Sequence, residues 1–162
     1  MKKNSILSSL VFIIFFSCSK DIEPEASLIH NRDVGLVIVL KDSIGNNLID
    51  SEDYDSSNFR VYWKKNSGLE LYYNYFNDNP YGYDVGTSNG MIGCGIAIND
   101  DPTVLISETY IKWNETDMDT ISTFIERTQY STSAKKFWYN GDLVWDEETM
   151  PNTEKVIVVV KS

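Results

Sequence analysis

Val34-Gly35-Leu36-Val37-Ile38-Val39-Leu40-Lys41 is the stretch on which the fold turns. It is almost wholly apolar and rich in β-branched residues, which are stiff at χ1 and pack well on a pleated sheet. The turn residues Asp42-Ser43-Ile44-Gly45-Asn46-Asn47 close it. At the other end of the chain, Lys155-Val156-Ile157-Val158-Val159-Val160-Lys161 shows no alternation. That predicts a strand buried on both faces, with flanking lysines that discourage edge association.

Between these ends the same signals recur. Phe59 to Lys64 alternates, Ser67-Gly68 turns, and Leu69 to Phe76 continues as the second strand of a hairpin. Met91 to Ile98, Thr103 to Trp113 and Asp119 to Arg127 read as further strands. Lys136 to Tyr139 and Leu143 to Trp145 flank Asn140-Gly141, a strong hairpin tip. All four prolines, Pro24, Pro80, Pro102 and Pro151, fall at breaks or before the first strand. The best helical window, Asp117 to Thr128, is too rich in Thr and Ile to favour helix. The expectation is an all-β fold, a single antiparallel β-sandwich of immunoglobulin-like or related kind, spanning residues 33–162.

The N-terminus reads differently. Lys2 and Lys3 precede an apolar run from Ile6 to Phe16, interrupted only by Ser8 and Ser9. A basic start, a short apolar core and a small residue at the cut mark a secretory signal over residues 1–17. The run falls well short of the roughly 20 residues that span a bilayer. Phe15-Phe16-Ser17-Cys18 resembles a lipobox of the loose kind found in Bacteroidota, in which a small residue precedes a cysteine that is lipidated. By that resemblance Cys18 carries several acyl chains and becomes the new N-terminus. Ser19-Lys20-Asp21-Ile22-Glu23-Pro24-Glu25 resembles the acidic export signal of lipoproteins displayed on the outer membrane, with a periplasm-facing position as the alternative. Residues 18–32 then form a disordered, acidic tether.

Composition narrows function. The formal net charge is −10, and losing Lys2 and Lys3 with the signal makes it two units more negative. Nucleic acid is excluded as a partner, since its phosphates need clustered Lys and Arg. With Cys18 lipidated, Cys94 is left without a disulfide partner. Flanked by Gly93 and Gly95 in an apolar run, Cys94 reads as a small buried hydrophobe. The one histidine, His30, falls in the tether, so no positioned base serves a nucleophile, and no catalytic residue is assigned. One His and one Cys do not make a zinc site. Gly82, Gly86, Gly90, Gly93 and Gly95 lack the Lys-Ser/Thr ending of a phosphate loop and read as a flexible loop entering a tightly packed strand. No cofactor is expected.

Three acidic loops carry the oxygens that calcium uses: Asp50, Glu52, Asp53 and Asp55; Asn99, Asp100 and Asp101; and Asn114, Glu115, Asp117 and Asp119. None has the EF-hand spacing, so no metal is assigned, and Asp50, Asp53 and Asp55 are the candidates a calcium ion would use. Paired carboxylates are too many for sequence to choose a glycosidase pair.

The most suggestive stretch is aromatic. Tyr72, Tyr73, Tyr75, Phe76, Tyr81 and Tyr83 lie within twelve residues. Alternation puts Tyr73 and Tyr75 on one face and Tyr72 on the other, while Tyr81 and Tyr83 fall on a Pro-Gly loop. Such rings stack on sugars or offer amphipathic contact to proteins. Tyr73, Tyr75, Tyr81 and Tyr83 are therefore the ligand-binding candidates. Asp42-Ser43-Ile44 and Asp119-Thr120-Ile121 resemble the Asp-Ser/Thr-apolar sequon for O-glycosylation in Bacteroidota, which implies modification at Ser43 and Thr120.

The first apolar strand with its turn, then Asp119-Thr120-Ile121, then Trp138-Tyr139-Asn140-Gly141, make the layout similar to small β-sandwich lipoproteins of Bacteroidota. The resemblance covers the two ends of the domain and implies a fold and a location but no activity. The expected function is a lipid-anchored surface binding or accessory module for glycan or protein. A structural envelope component without a small ligand is the alternative, and a glycoside-active enzyme is a third.

Overall fold

A computed structural model of the chain describes residues 30–88, 90–151 and 153–161. The signal segment, Cys18 and residues 18–29 of the expected tether lie outside the described residues. Eleven strands account for the described elements, with one 3-10 turn at Ser56–Asn58 and no α-helix. They are β1 (Asn31–Asp33), β2 (Leu36–Lys41), β3 (Arg60–Lys65), β4 (Gly68–Leu71), β5 (Tyr83–Ser88) and β6 (Met91–Ile96). β7 (Ile106–Lys112), β8 (Met118–Arg127), β9 (Ser131–Tyr139), β10 (Asp142–Asp146) and β11 (Val156–Val160) follow.

The strands form two open sheets. The larger has the order β1-β9-β8-β7-β3-β4, with β10 also paired to β9; the smaller has the order β11-β2-β6-β5. Both are mixed, which corrects the expected antiparallel arrangement. β1 runs parallel to β9, and β11 runs parallel to β2. A hairpin forces neighbours antiparallel, but strands joined by long connections are free of that constraint. β1 and β11 each pair with a partner far away in sequence. β1 also begins inside the expected tether, where Asn31 to Asp33 pair with Ser131 to Ser133.

One core joins the two sheets. Leu36, Ile38 and Leu40 of β2, Cys94 and Ile96 of β6 and Ile157 of β11 belong to the same buried cluster as Val61, Ile111, Ile121, Ile125 and Phe137 of the larger sheet. Trp113, fully buried, meets Phe59 edge-on at 4.9 Å between ring centroids. The central strands of the larger sheet alternate strictly, with Ser107, Thr109 and Ile111 inward on β7 and Asp119, Ile121, Thr123 and Ile125 inward on β8.

The smaller sheet does not alternate, and its outer face explains why. Val37 pairs with Gly95, and Gly93 pairs with Gly86, so glycines lie beside the outward valines of β2. A Cβ on Gly93 would fall 2.6 Å from Val37 Cγ1. The valines fill space that the glycines leave, so Gly86, Gly93 and Gly95 serve strands rather than a flexible loop. The expected strand from Leu69 to Phe76 ends at Leu71. From there the chain leaves the edge of the larger sheet, loops through residues 72–82, and enters β5 at the edge of the smaller one.

Candidate functional site

That crossing loop and the adjacent ends of both sheets enclose an open cleft of about 800 Å³. Its walls include Leu36, Ile96 and Val156 of the smaller sheet and Trp145 of β10. Four carboxylates line it: Asp33, Asp84, Glu147 and Glu154. One cation, Lys155, stands among them, bonded to Asp33 at 2.5 Å and 5.4 Å from the Trp145 ring centroid. Asn77 and Asn79 of the crossing loop add amide groups. A second hollow of about 390 Å³ continues from it, sharing Asn77, Asn79, Tyr83 and Asp84, and adding Phe76 and Asp78. The cleft is an acidic, amide-bearing groove with apolar walls and an exposed aromatic rim.

The tyrosine candidates divide. Tyr83 opens β5 with its ring turned inward, buried against Phe59 at 5.6 Å between centroids. It is a core residue that forms part of the cleft wall, which corrects its placement on a Pro-Gly loop. Tyr81 is half-buried under the Arg60 guanidinium, 3.9 Å from the ring centroid, with Tyr73 edge-on at 5.5 Å. Neither Tyr73 nor Tyr81 lines the cleft. Tyr75 is 72% exposed and stacks at 4.0 Å on Phe76, which is 81% exposed and lines the second hollow. The aromatic signal in the sequence thus marks the right loop, but Phe76 rather than Tyr73 or Tyr81 reaches the groove. Asp33, Asp84, Glu147 and Glu154 carry no local signal because they come from three separate segments, β1, β5 and the connection between β10 and β11.

The acidic loops spend their oxygens on their own turns. Asp50, held at a positive φ of 65°, accepts from Ser56 N and Oγ, and Asp55 caps the 3-10 turn by accepting from Ser57 N. Asp53 offers its backbone carbonyl to Asn114 at 3.1 Å. Asn99 is fully buried as a plug, donating to the Lys64 and Glu108 carbonyls. Hydrogen bonds from Thr103, with Lys65 beyond them, hold the Asp101 carboxyl down at about 2. Among the described residues no group of three or more His, Cys, Asp or Glu is placed to hold a metal ion.

The third acidic loop leads instead into a buried polar cluster that sequence reasoning missed. Asp119, at the inward end of β8, is 4% exposed. Its Oδ2 accepts from Trp113 Nε1 at 2.5 Å, from Tyr139 OH and from Lys161 Nζ at 2.5 Å. Its Oδ1 accepts from Asn140 Nδ2 at 2.7 Å. Lys161 Nζ also reaches Asp117 Oδ1 at 2.8 Å, and Tyr54 OH donates to Asp117 Oδ2 at 2.9 Å. Burial opposes ionisation of Asp119, but the donors led by Lys161 outweigh it and hold its carboxyl below the ordinary range. Burial and then the Asp117 bond push the Tyr54 hydroxyl up to about 12.

Of the two sequon residues, Ser43 is exposed on the turn that Asp42 organises by accepting from Ile44 N and Asn46 N. Thr120 lies mid-sheet, its N–H donating to Asn140 Oδ1 at 2.8 Å, between the buried Asp119 and Ile121. Cys94 is fully buried, and burial pushes its thiol up to about 12. His30 is exposed, with Nε2 2.9 Å from Thr132 Oγ1 at the start of β1 pairing. No protein-family model, curated protein sequence or solved structure matches this chain.

Proposed function

We propose that this chain is a lipid-anchored cell-envelope lipoprotein whose β domain is a surface binding or accessory module for glycan. The observation that carries the binding reading is the continuous groove of the two hollows. Its size is typical of ligand sites, and it combines apolar walls with a few fixed polar groups. Carboxylates and amides accept from and donate to sugar hydroxyls, and the exposed Phe76–Tyr75 pair offers ring faces at the rim. The shared core between the two sheets supports reading the domain as a β-sandwich. The anchoring half of the proposal rests on Lys2, Lys3, the apolar run and Cys18.

A glycan array probed with the full chain tests the binding half. Wild type is expected to retain a defined glycan class, and Asp84→Ala and Phe76→Ala are expected to weaken it at least tenfold while the circular dichroism stays unchanged. An array without any retained glycan defeats this reading. Hydrolysis of chromogenic glycosides that is lost in Asp84→Asn would move the groove to the enzyme class. Cys18→Ser, followed by cell fractionation, tests the anchor: the protein should leave the membrane fraction.

A second reading, docking to another protein, is favoured by the outer face of the larger sheet. There Leu71, Tyr62 and Tyr110 are neighbours across β4, β3 and β7, and Trp138 pairs with Leu143. Leu69, Leu71 and Leu143 are exposed on it. Retention of a partner that survives Phe76→Ala but not Trp138→Ala would select this face over the groove.

A further inference from the structure

We propose that Lys161 and Asp119 become joined by an intramolecular amide bond, formed without any other protein and with Asp117 as the proton relay. The observation is the arrangement of three side chains in one enclosed place. Lys161 Nζ lies 2.5 Å from Asp119 Oδ2 and 2.8 Å from Asp117 Oδ1. The Lys161 side chain is 14% exposed and that of Asp119 is 6% exposed. Trp113, Tyr139 and Tyr54 enclose the group, and the first two are buried.

Position comes from both sheets. Asp119 sits on β8 at the centre of the larger sheet, and its strand is fixed on both sides by β7 and β9. Lys161 follows β11 of the smaller sheet, and its backbone N–H donates to the Lys41 carbonyl at 2.8 Å. Two groups held this way react as an intramolecular pair at very high effective concentration. Each group that the reaction needs is also present. Asn140 donates to Oδ1, the oxygen that gains negative charge when the carboxyl carbon is attacked. Tyr139 and Trp113 donate to Oδ2, the oxygen that must leave.

The atoms balance without a co-reactant. One proton passes from the Lys161 ammonium to Asp119 Oδ2 inside their hydrogen bond, giving an amine and a carboxylic acid. The amine lone pair attacks the Asp119 Cγ, forming the N–C bond. Asp117 takes a second proton from nitrogen and delivers it to Oδ2. The C–Oδ2 bond then breaks and Oδ2 leaves as water carrying both protons. Asp117 ends as it began, a catalytic residue in contact with the reacting nitrogen. A buried ion pair that is costly to desolvate becomes a neutral amide. The bond would staple the last strand of the smaller sheet to the middle of the larger one.

Peptide mass spectrometry of the full chain, after cleavage at Lys and Arg, tests this directly. Residues 113–127 should appear joined through Lys161 to residues 156–162, lighter than the two peptides together by one water, with Lys161 uncut. Full recovery of both as separate linear peptides, with Lys161 cleaved, overturns the proposal and leaves an ion pair. Lys161→Arg keeps the charge but should give only linear peptides; a joined species in that variant would also overturn it. Asp117→Asn should form the joined peptide on the order of 100-fold more slowly. Formation at the wild-type rate, in protein with unchanged circular dichroism, would remove Asp117 from the mechanism.

Discussion

At the scale of single residues, the Asp119 cluster sets the most direct expectations. In the Lys161→Arg background, where Asp119 stays a carboxylate, Tyr139→Phe removes one donor to it and leaves the ring in place. The cost should be about 1.5–3 kcal/mol, the range for hydrogen bonds to charged groups, read as a lower urea midpoint. Thr123 gives the opposite sign. Its hydroxyl is buried on the inward face of β8 and finds no hydrogen-bond partner among the described residues. Thr123→Val should raise stability by about 1 kcal/mol, because an unsatisfied hydroxyl is replaced by a methyl group of the same shape. Titratable groups bound the stable range on both sides. Asp101 has a carboxyl held below its ordinary value, so its stabilisation is complete above 3.8 and is lost as pH falls through about 2. The Cys94 thiol and Tyr54 hydroxyl are raised, so theirs is complete below about 9 and is lost as pH rises through about 12. Urea midpoints should therefore form a plateau with a fall at each end; a midpoint that rises steadily from pH 4 to 2 would contradict this.

At the scale of elements, the sequence spoke most clearly where local signals agree. β8 alternates, and β9 and β10 meet at Asn140-Gly141, both at positive φ (50° and 94°), as a tight hairpin tip requires. β5 was illegible because Tyr83-Asp84-Val85-Gly86-Thr87-Ser88 mixes strong and weak strand formers just after Pro80. Its six-residue pairing with β6 makes it a strand, and that is a tertiary fact. Asn31 and Arg32 of β1 fall in the expected tether because they are polar, and the strand they begin is exposed throughout. The tightest fit belongs to β6. Gly93→Ala would press a methyl group against Val37 and should cost about 1–3 kcal/mol, the usual range for overpacking. Gly95→Ala is the control, since its nearest neighbour, the Asp84 carbonyl oxygen, would lie at 3.6 Å, an ordinary contact. Thermal unfolding of the two variants should separate them; equal losses would mean that the valine–glycine fit does not set the packing.

At the scale of the whole molecule, the groove and the Lys161–Asp119 pair share a property that hid them from the sequence. Both form where segments remote in the chain converge, so no spacing rule could find them. Lys155 and Asp33, bonded across the groove wall, are 122 residues apart. That separation also sets a clock. β2 is among the first strands made, yet the partner that covers its outer edge, β11, is the last. Loop-closure entropy must be overcome before such pairings reward the chain, so folds built on them are slow, on the order of milliseconds to seconds. Stopped-flow refolding of Lys161→Arg should fall in that range. During synthesis the outer edge of β2 stays uncovered until residues 156–160 have emerged. For the lipoprotein proposed above, export as an unfolded thread would be well served by a fold in which β11, the last of the described strands, pairs late.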